Sequence, residues 1–165
     1  MTAPAWLDAH GVALWSRVEA VIASGPDAAL DPAIRDALAL ELLAWQRGRC
    51  QPLDRALRAM GAADEVRSVS ELPGIPTEAF KTARIASFDA ASETRVFHTS
   101  GTSGEARGRH AFGSTALYDA AAIACGARWL LPRGPYRFVL LAERERDAPH
   151  SSLSYMLARF AEHFA

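Results

Sequence analysis

The chain has 165 residues, a length that indicates one domain able to bury a sizeable core. Its residues are 50% hydrophobic and 22% charged, with a net charge of −1, which excludes a disordered chain and a basic field that would recruit nucleic acid. Cys50 and Cys125 lie far apart without the spacing of a zinc site or a disulfide framework. No apolar run is long enough to span a membrane and no leader is recognisable, which predicts a cytoplasmic protein.

Residues 1–70 are predicted to form a mainly helical lead. The first helix places its apolar residues on one face: Leu14, Trp15, Val18, Val21 and Ile22. Asp31 is expected to cap a second helix, with Pro32 at its first position. The apolar stripe of this second helix consists of Ile34, Leu38, Leu42 and Trp45. A third helix is expected to begin near Pro52 and to end at Gly61, with its apolar residues in the core: Leu53, Leu57 and Met60.

Residues 71–165 are predicted to form an α/β portion. Residues 94–98 have the pattern of a strand, and residues 108–112 are expected to return as a second strand, so that the loop between them is a hairpin tip. Residues 136–142 (YRFVLLA) form an apolar run that predicts a buried, parallel strand. Strands that alternate with helices in this order indicate an α/β sheet domain behind the helical lead.

Three helices are expected within this α/β portion. Thr77 is expected to cap a short helix that contains Phe80 and Lys81. Ser114 is expected to cap a helix over residues 115–131, whose alanine-rich face would bury Cys125. The last helix carries its apolar residues at helical spacing: Leu153, Met156, Leu157, Phe160 and Phe164. It is expected either to fold back onto the sheet or to leave an apolar face for a partner.

The loop between the first two predicted strands is the most informative stretch. It reads TSGTSG and comprises Thr99, Ser100, Gly101, Thr102, Ser103 and Gly104. Glycines let the backbone turn, while hydroxyls and amide N–H groups can converge on an anion, above all a phosphate. The pattern is neither the P-loop of NTPases nor a dinucleotide fingerprint nor a nucleophile elbow. A flexible surface turn has the same composition and remains the alternative.

Cationic side chains follow this loop closely: Arg107, Arg109 and His110. Arginines beside such a loop suit a polyphosphate, because a guanidinium neutralises phosphate oxygens with bidentate geometry. The alternative is a solvated basic turn in which Glu105 pairs with one arginine. His98 and Lys81 are further candidates to reach the phosphate. The alternatives are that His98 is a hydrogen-bonded histidine at a strand end and that Lys81 is an ordinary surface lysine. No spacing of histidines and carboxylates indicates a metal site.

Three stretches resemble the acyl-protein synthetase (LuxE-type) family, which is related to the acyl-adenylate-forming ligases. The stretches are residues 75–81 (IPTEAFK), residues 97–104 (FHTSGTSG) and residues 151–156 (SSLSYM). In the family, the first is a proline segment followed by Phe-Lys, the second is the ATP phosphate loop, and the third follows a core strand. The order and spacing of the three carry more weight than any one of them.

The resemblance implies a fold and a reaction. The fold would be a helical lead followed by part of an adenylate-forming-ligase sheet domain. The chain would use ATP and Mg²⁺ to activate a fatty acid, or another carboxylate, as an acyl-adenylate, with transfer of the acyl group to a protein thiol. Residues 99–104 and Arg107 would hold the ATP phosphates. An acyl reductase would be the partner that receives the acyl group.

The resemblance covers most of this chain but under half of a family member, which predicts a fragment or a split subunit that lacks a C-terminal portion. The lysine that usually follows the family's loop is also replaced by Arg107 and Arg109. Three functions are therefore open. They are an acyl-adenylating ligase, a non-catalytic nucleotide-binding or accessory module, and a helical adaptor in which the loop is only a turn.

Overall fold

The structure, a computed structural model, describes residues 2–28, 31–62, 66–99 and 106–165. The predicted lead consists of three helices, α1 (Ala9–Ala23), α2 (Pro32–Arg47) and α3 (Gln51–Ala59). The predicted start of α2 is confirmed, since Pro32 opens the helix and the Asp31 carboxylate accepts a hydrogen bond from the Ala33 N–H. The first N–H groups of a helix have no acceptor within the helix, so an aspartate that accepts from one of them, followed by proline, marks where α2 begins.

The core of the lead lies between α1 and α2. Leu14, Leu38 and Trp45 form one buried cluster, and Trp15 is also buried, so both tryptophans are core residues as predicted. Ile34 departs from the predicted stripe, because it lies in the first turn of α2, before the turns that hold this cluster, and is 58% exposed.

Asp8 fastens the start of α1 to the end of α2. Its carboxylate accepts hydrogen bonds from the Gly11 N–H at 2.7 Å and from the Trp45 indole N–H at 3.2 Å, and it also pairs with Arg49. These bonds favour the ionised form, so the pKa of Asp8 is lowered, chiefly by Gly11 and then by Trp45. One carboxylate thus caps a helix and satisfies a tryptophan from the next helix.

The predicted hairpin is confirmed. Strand β1 (Arg95–His98) pairs antiparallel with β2 (Arg109–Phe112), with Arg95 opposite Phe112 and His98 opposite Arg109. Residues 100–105 of the connecting loop lie outside the described part of the chain. Between α3 and β1 lie two short 3₁₀ turns (Val69–Glu71 and Ala90–Ser92) and α4 (Ala79–Thr82). The predicted capping of α4 by Thr77 is wrong, because Glu78 precedes the helix and makes no side-chain cap.

Helix α5 (Ala116–Cys125) continues as a single π-helical turn over Gly126–Leu130, which matches the predicted extent. Thr115, rather than the predicted Ser114, precedes the helix and makes no side-chain cap, although the Ser114 hydroxyl accepts a hydrogen bond from the Ala116 N–H. The predicted burial of Cys125 is wrong, because the ring of Phe160 packs against Gly126 and leaves Cys125 exposed. The other cysteine, Cys50, is buried at the start of α3.

The last helix, α6 (Ser152–Phe164), folds back against α5 and the hairpin, one of the two outcomes expected. Phe160 and Phe164 are buried as predicted, but Leu153 is 55% exposed. The buried face is centred instead on Tyr155, whose ring centroid lies 5.3 Å from that of Phe97 in β1. The aromatic ring, rather than the aliphatic positions in the first turn, therefore decides which face of α6 points inward.

The prediction of a buried parallel strand at residues 136–142 is wrong. The segment has no regular secondary structure, and Val139 and Leu141 are 81% and 97% exposed. A strand requires a hydrogen-bonded neighbour, and no backbone hydrogen bond joins residues 137–142 to the rest of the described chain. The segment is apolar in composition, but nothing in the described residues supplies a partner strand.

The architecture is therefore mixed, with a helical lead followed by a portion that contains a small sheet. Within the described ranges, the sheet has two antiparallel strands rather than the predicted parallel arrangement. The two parts are in contact, because α1 packs on α5 and Trp6 lies against Gly113, where a Cβ atom would stand 2.5 Å from its indole nitrogen. No described helix combines the length and apolarity needed to cross a membrane.

Replacing Leu38 by alanine is expected to lower the free energy of unfolding by about 2–5 kcal/mol, because a buried side chain is lost and a cavity remains. Ile34→Ala removes a side chain from the same helix at an exposed position and is the matched control, with an expected change within about 0.5 kcal/mol. Urea unfolding of both variants measures the difference. Equal losses would contradict the assignment of the core.

Candidate phosphate-binding site

The end of the hairpin is closed by a reciprocal pair of hydrogen bonds. The Thr99 N–H donates to the Gly108 carbonyl at 2.9 Å, and the Gly108 N–H donates to the Thr99 hydroxyl oxygen at 2.9 Å. A Cβ atom at residue 108 would stand 3.1 Å from the Thr99 methyl group, so glycine permits this close approach. The two residues flank the loop and fix the separation of its ends.

His150 lies along the free edge of β1. Its backbone carbonyl accepts a hydrogen bond from the His98 N–H at 2.9 Å, and its Nδ1 lies 3.0 Å from the Val96 carbonyl oxygen. Because a carbonyl oxygen only accepts, Nδ1 of His150 carries the proton and donates it. The segment before α6 is thus held against the strand that leads into the loop, more than 50 residues away in sequence.

The rings of His98 and His150 are stacked. Their centroids are 4.3 Å apart and their planes differ by 9°. Burial lowers the pKa of His98, and the nearby charges of His150, Arg109 and Arg107 lower it further. His98 is therefore a neutral imidazole at pH 7, which can exchange hydrogen bonds with a ligand but does not add a positive charge.

A cavity of about 380 Å³ opens at this end of the hairpin. Residues of both charge signs line it, together with two hydroxyl groups: His98, Thr99, Arg107, Glu143, Asp147 and Ser151. Arg107 makes no ion pair or hydrogen bond with any other residue in the described ranges, and the same holds for the Glu143 carboxylate. Among the described residues, the Asp147 carboxylate pairs with the exposed Arg146, at 3.6 Å. The cavity thus offers one guanidinium and two carboxylates to a ligand.

The three cations that follow the loop do not converge. Arg107 lines the cavity, whereas Arg109 lines a second cavity of about 330 Å³ that also contains Lys81. The His110 ring packs on the Phe80 ring, with centroids 4.3 Å apart. Of the sequence candidates within the described chain, Thr99, Arg107 and His98 therefore come together, and Lys81 stands with Arg109 instead. The remaining loop candidates, residues 100–104, lie outside the described ranges.

Sequence reasoning missed Glu143, Asp147 and His150. These residues belong to a charged stretch, residues 143–150, and its density of charge is the only signal that the sequence offers. No spacing in the sequence places this loop beside a strand end some 50 residues earlier. Among the residues that the structure describes, no three metal-ligating side chains are clustered, so a metal ion at this site would also need ligands from a bound molecule.

The three stretches that carry the resemblance lie near this end of the hairpin, and the second and third of them line the cavity. Phe80 lies against Gly108, Thr99 closes the hairpin, and Ser151 both lines the cavity and caps α6 by accepting from the Ser154 N–H. Neither a protein family model, nor a curated protein, nor a solved structure matches the chain. The family and its activity are therefore a hypothesis that rests on these residues and on their geometry.

Acidification is expected to destabilise the protein through His98. Because the pKa of His98 is lower in the folded state than its ordinary value of 6.5, the unfolded state binds the proton more readily. The contribution to stability is complete above pH 6.5 and is lost as the pH falls from there through the folded-state pKa. Urea unfolding between pH 7.5 and pH 5 measures this slope.

His98→Gln is expected to reduce the slope, because it removes the titrating group. The control, His163→Gln, replaces an exposed histidine in α6 and is expected to leave the slope unchanged. The assignment would be wrong if His98→Gln retained the full pH dependence.

Proposed function

We propose that the chain binds the phosphates of ATP in the cavity at the end of the hairpin. The observation that carries this proposal is the placement of Arg107, whose guanidinium lines the cavity without an acidic partner among the described residues. An arginine with no partner beside hydroxyl and imidazole groups is a suitable counter-charge for a phosphate. The small-residue loop adjoins Thr99 in sequence and would add backbone N–H donors.

The described residues would divide the binding between them. Arg107 would form a bidentate contact with phosphate oxygens. The Thr99 hydroxyl accepts from Gly108 through its oxygen, which leaves its own hydrogen to donate to a phosphate. His98, being neutral, would contribute a hydrogen bond from its ring. The start of α6 adds a partial positive charge on the same side of the cavity, where Ser151 lies.

The donor set also fits magnesium bound to a nucleotide. Mg²⁺ prefers oxygen ligands and is usually held by one or two carboxylates, phosphate oxygens and water. Glu143 and Asp147 supply two carboxylates at the cavity, and the nucleotide would supply the remaining charged ligands. When bound, Mg²⁺ would neutralise phosphate charge and favour the departure of pyrophosphate. Arg107 would hold the phosphates, while the two carboxylates would hold the ion.

The resemblance extends this binding to a reaction. A fatty-acid carboxylate oxygen would attack the α-phosphorus of ATP, a P–O bond would form, and the bond to the β-phosphate oxygen would break, with release of pyrophosphate. A protein thiolate would then attack the acyl carbon of the acyl-adenylate, so that a thioester forms as the acyl–phosphate bond breaks and AMP leaves, and an acyl reductase would be the next partner. The described residues would supply the phosphate end of this chemistry. The ligase-type sheet domain and the acyl acceptor belong to the proposal.

A non-catalytic nucleotide-binding module is the second candidate, favoured by the character of the two cavities. The cavity at the hairpin is lined mainly by polar and charged residues, whereas an apolar cavity of about 770 Å³ lies between α1 and α5, lined by Ile22, Ala120 and Ile123 among others. The two cavities share no lining residue. A phosphate site that shares no residue with the 770 Å³ apolar cavity suits nucleotide binding without an acyl substrate, and turnover separates the two candidates.

Arg107→Gln is expected to raise the Kd for Mg·ATP roughly tenfold to a hundredfold, because a charge-assisted hydrogen bond contributes about 1.5–3 kcal/mol. Arg109→Gln is the matched control, since Arg109 lines the second cavity, and it is expected to change the Kd by less than about threefold. Isothermal titration calorimetry with the full chain measures both. An equal effect of the two variants, or no binding by the unmodified chain, would refute the proposed site.

If the chain is a ligase, it is expected to release pyrophosphate when given Mg·ATP, a fatty acid and hydroxylamine as acceptor, above a control without fatty acid. Gly101→Val is expected to abolish this release, because valine lacks the backbone freedom that lets glycine turn in the predicted phosphate loop. ATP binding without release would identify the non-catalytic module instead.

A further inference from the structure

Residues 136–143 expose their side chains with a period of two. Arg137, Val139, Leu141 and Glu143 are exposed, whereas Tyr136, Phe138 and Ala142 are half-buried against the protein. Leu140 is the one departure and is 41% exposed. Alternation of this kind is typical of an extended segment with one side on the protein and the other in solvent.

The segment is held at both ends but unpaired between them. At its start, the Tyr136 N–H donates to the Phe164 carbonyl at 2.7 Å. Just beyond its end, Glu145 forms ion pairs with Arg95 and Arg159 at 2.9 and 3.1 Å. Within the described chain, residues 137–143 make no backbone hydrogen bond with one another or with other residues. An anchored apolar segment with free N–H and C=O groups is a template for another strand.

We propose that this segment, residues 137–143, pairs with the same segment of a second copy of the chain as an antiparallel strand across a two-fold axis at Leu140. The exposed face is self-complementary in this register. Val139 stands opposite Leu141 of the second copy, and Arg137 stands opposite Glu143 of the second copy. The two-fold axis repeats both contacts, so the interface contains two ion pairs that flank an apolar centre.

The charges select this register over its neighbours. If the pairing slips by two residues in one direction, Arg137 stands opposite Leu141. If it slips by two in the other direction, Arg137 stands opposite Glu145, which is already paired with Arg95 and Arg159. A slip by one residue would turn the exposed side chains to opposite faces. Only the pairing centred on Leu140 gives Arg137 and Glu143 a partner each. Neither of them has an ion pair in the described chain.

The test is a charge exchange, read out by sedimentation velocity of the full chain over a concentration series. The unmodified chain is expected to dimerise. Arg137→Glu and Glu143→Arg each place two like charges opposite each other and are expected to weaken the dimer about tenfold, whereas the double variant restores both pairs and the association. Arg55→Glu is the control, because Arg55 is exposed on α3, and it is expected to leave the dimer unchanged.

Disulfide trapping provides a second measurement that does not depend on charge. In a Cys125→Ser background, Leu140→Cys is expected to form a crosslinked dimer on mild oxidation, since the axis brings the two thiols together. Leu153→Cys, at another exposed leucine, is expected to remain monomeric. A monomer at every concentration, a double variant as weak as the single ones, or equal crosslinking at both positions would overturn the proposal.

Discussion

The burial of Phe97 is the constraint on which the second half of the molecule depends. Its side chain is 3% exposed and its ring lies 5–6 Å, centroid to centroid, from those of Phe112, Tyr118 and Tyr155. One residue of β1 therefore contacts β2, α5 and α6 at once. Aromatic rings bury large areas and prefer tilted, offset contacts, which fix the relative orientation of these elements. The next two residues along the chain are His98 and Thr99, so this packing also positions the candidate site.

Polar contacts then reinforce the same arrangement from the side of α6. The Tyr155 hydroxyl donates to the Asp119 carboxylate at 3.0 Å and contacts the Thr115 hydroxyl at 2.9 Å, which joins α6 to α5. Burial raises the pKa of Tyr155, so the hydroxyl stays protonated and keeps its role as a donor. The guanidinium of Arg95 lies 4.4 Å above the Tyr155 ring and pairs with Glu145. Hydrophobic packing and charge pairing thus support one another at a single tyrosine.

The packing around Phe97, rather than contacts among the residues of the candidate site, brings the parts of that site together. Its parts come from the end of β1, the return to β2 and the segment before α6, and His150 holds the last of these against the first. A ligand in the cavity would contact all three, so binding there would stabilise the folded state through linkage. The exposed segment that precedes Glu145 lies on the same connection between α5 and α6. The proposed dimer segment and the proposed site would therefore both depend on this connection, and Glu143 is the residue that they have in common.

The amino-acid sequence determined those features that depend on neighbours in the chain. Asp31 and Pro32 fix a helix start because free N–H groups need an acceptor, and the hairpin follows from two β-prone runs around a loop of small residues. Only part of the site could be predicted, because only some of its residues are neighbours in the chain. Thr99 and Arg107 flank the loop, whereas Glu143, Asp147 and His150 come from a distant segment whose charges carry no directional signal.

Only the tertiary structure decided which apolar residues found a partner. Leu38 and Ile34 belong to one stripe, yet the first is buried and the second is 58% exposed. Residues 136–142 have the composition of a buried strand, but a strand forms only where another strand offers hydrogen bonds, and residues 137–142 make no backbone hydrogen bond in the described chain. Propensity and periodicity state what a segment is able to bury or to pair. Burial and pairing are properties of two segments, so they were decided by the fold.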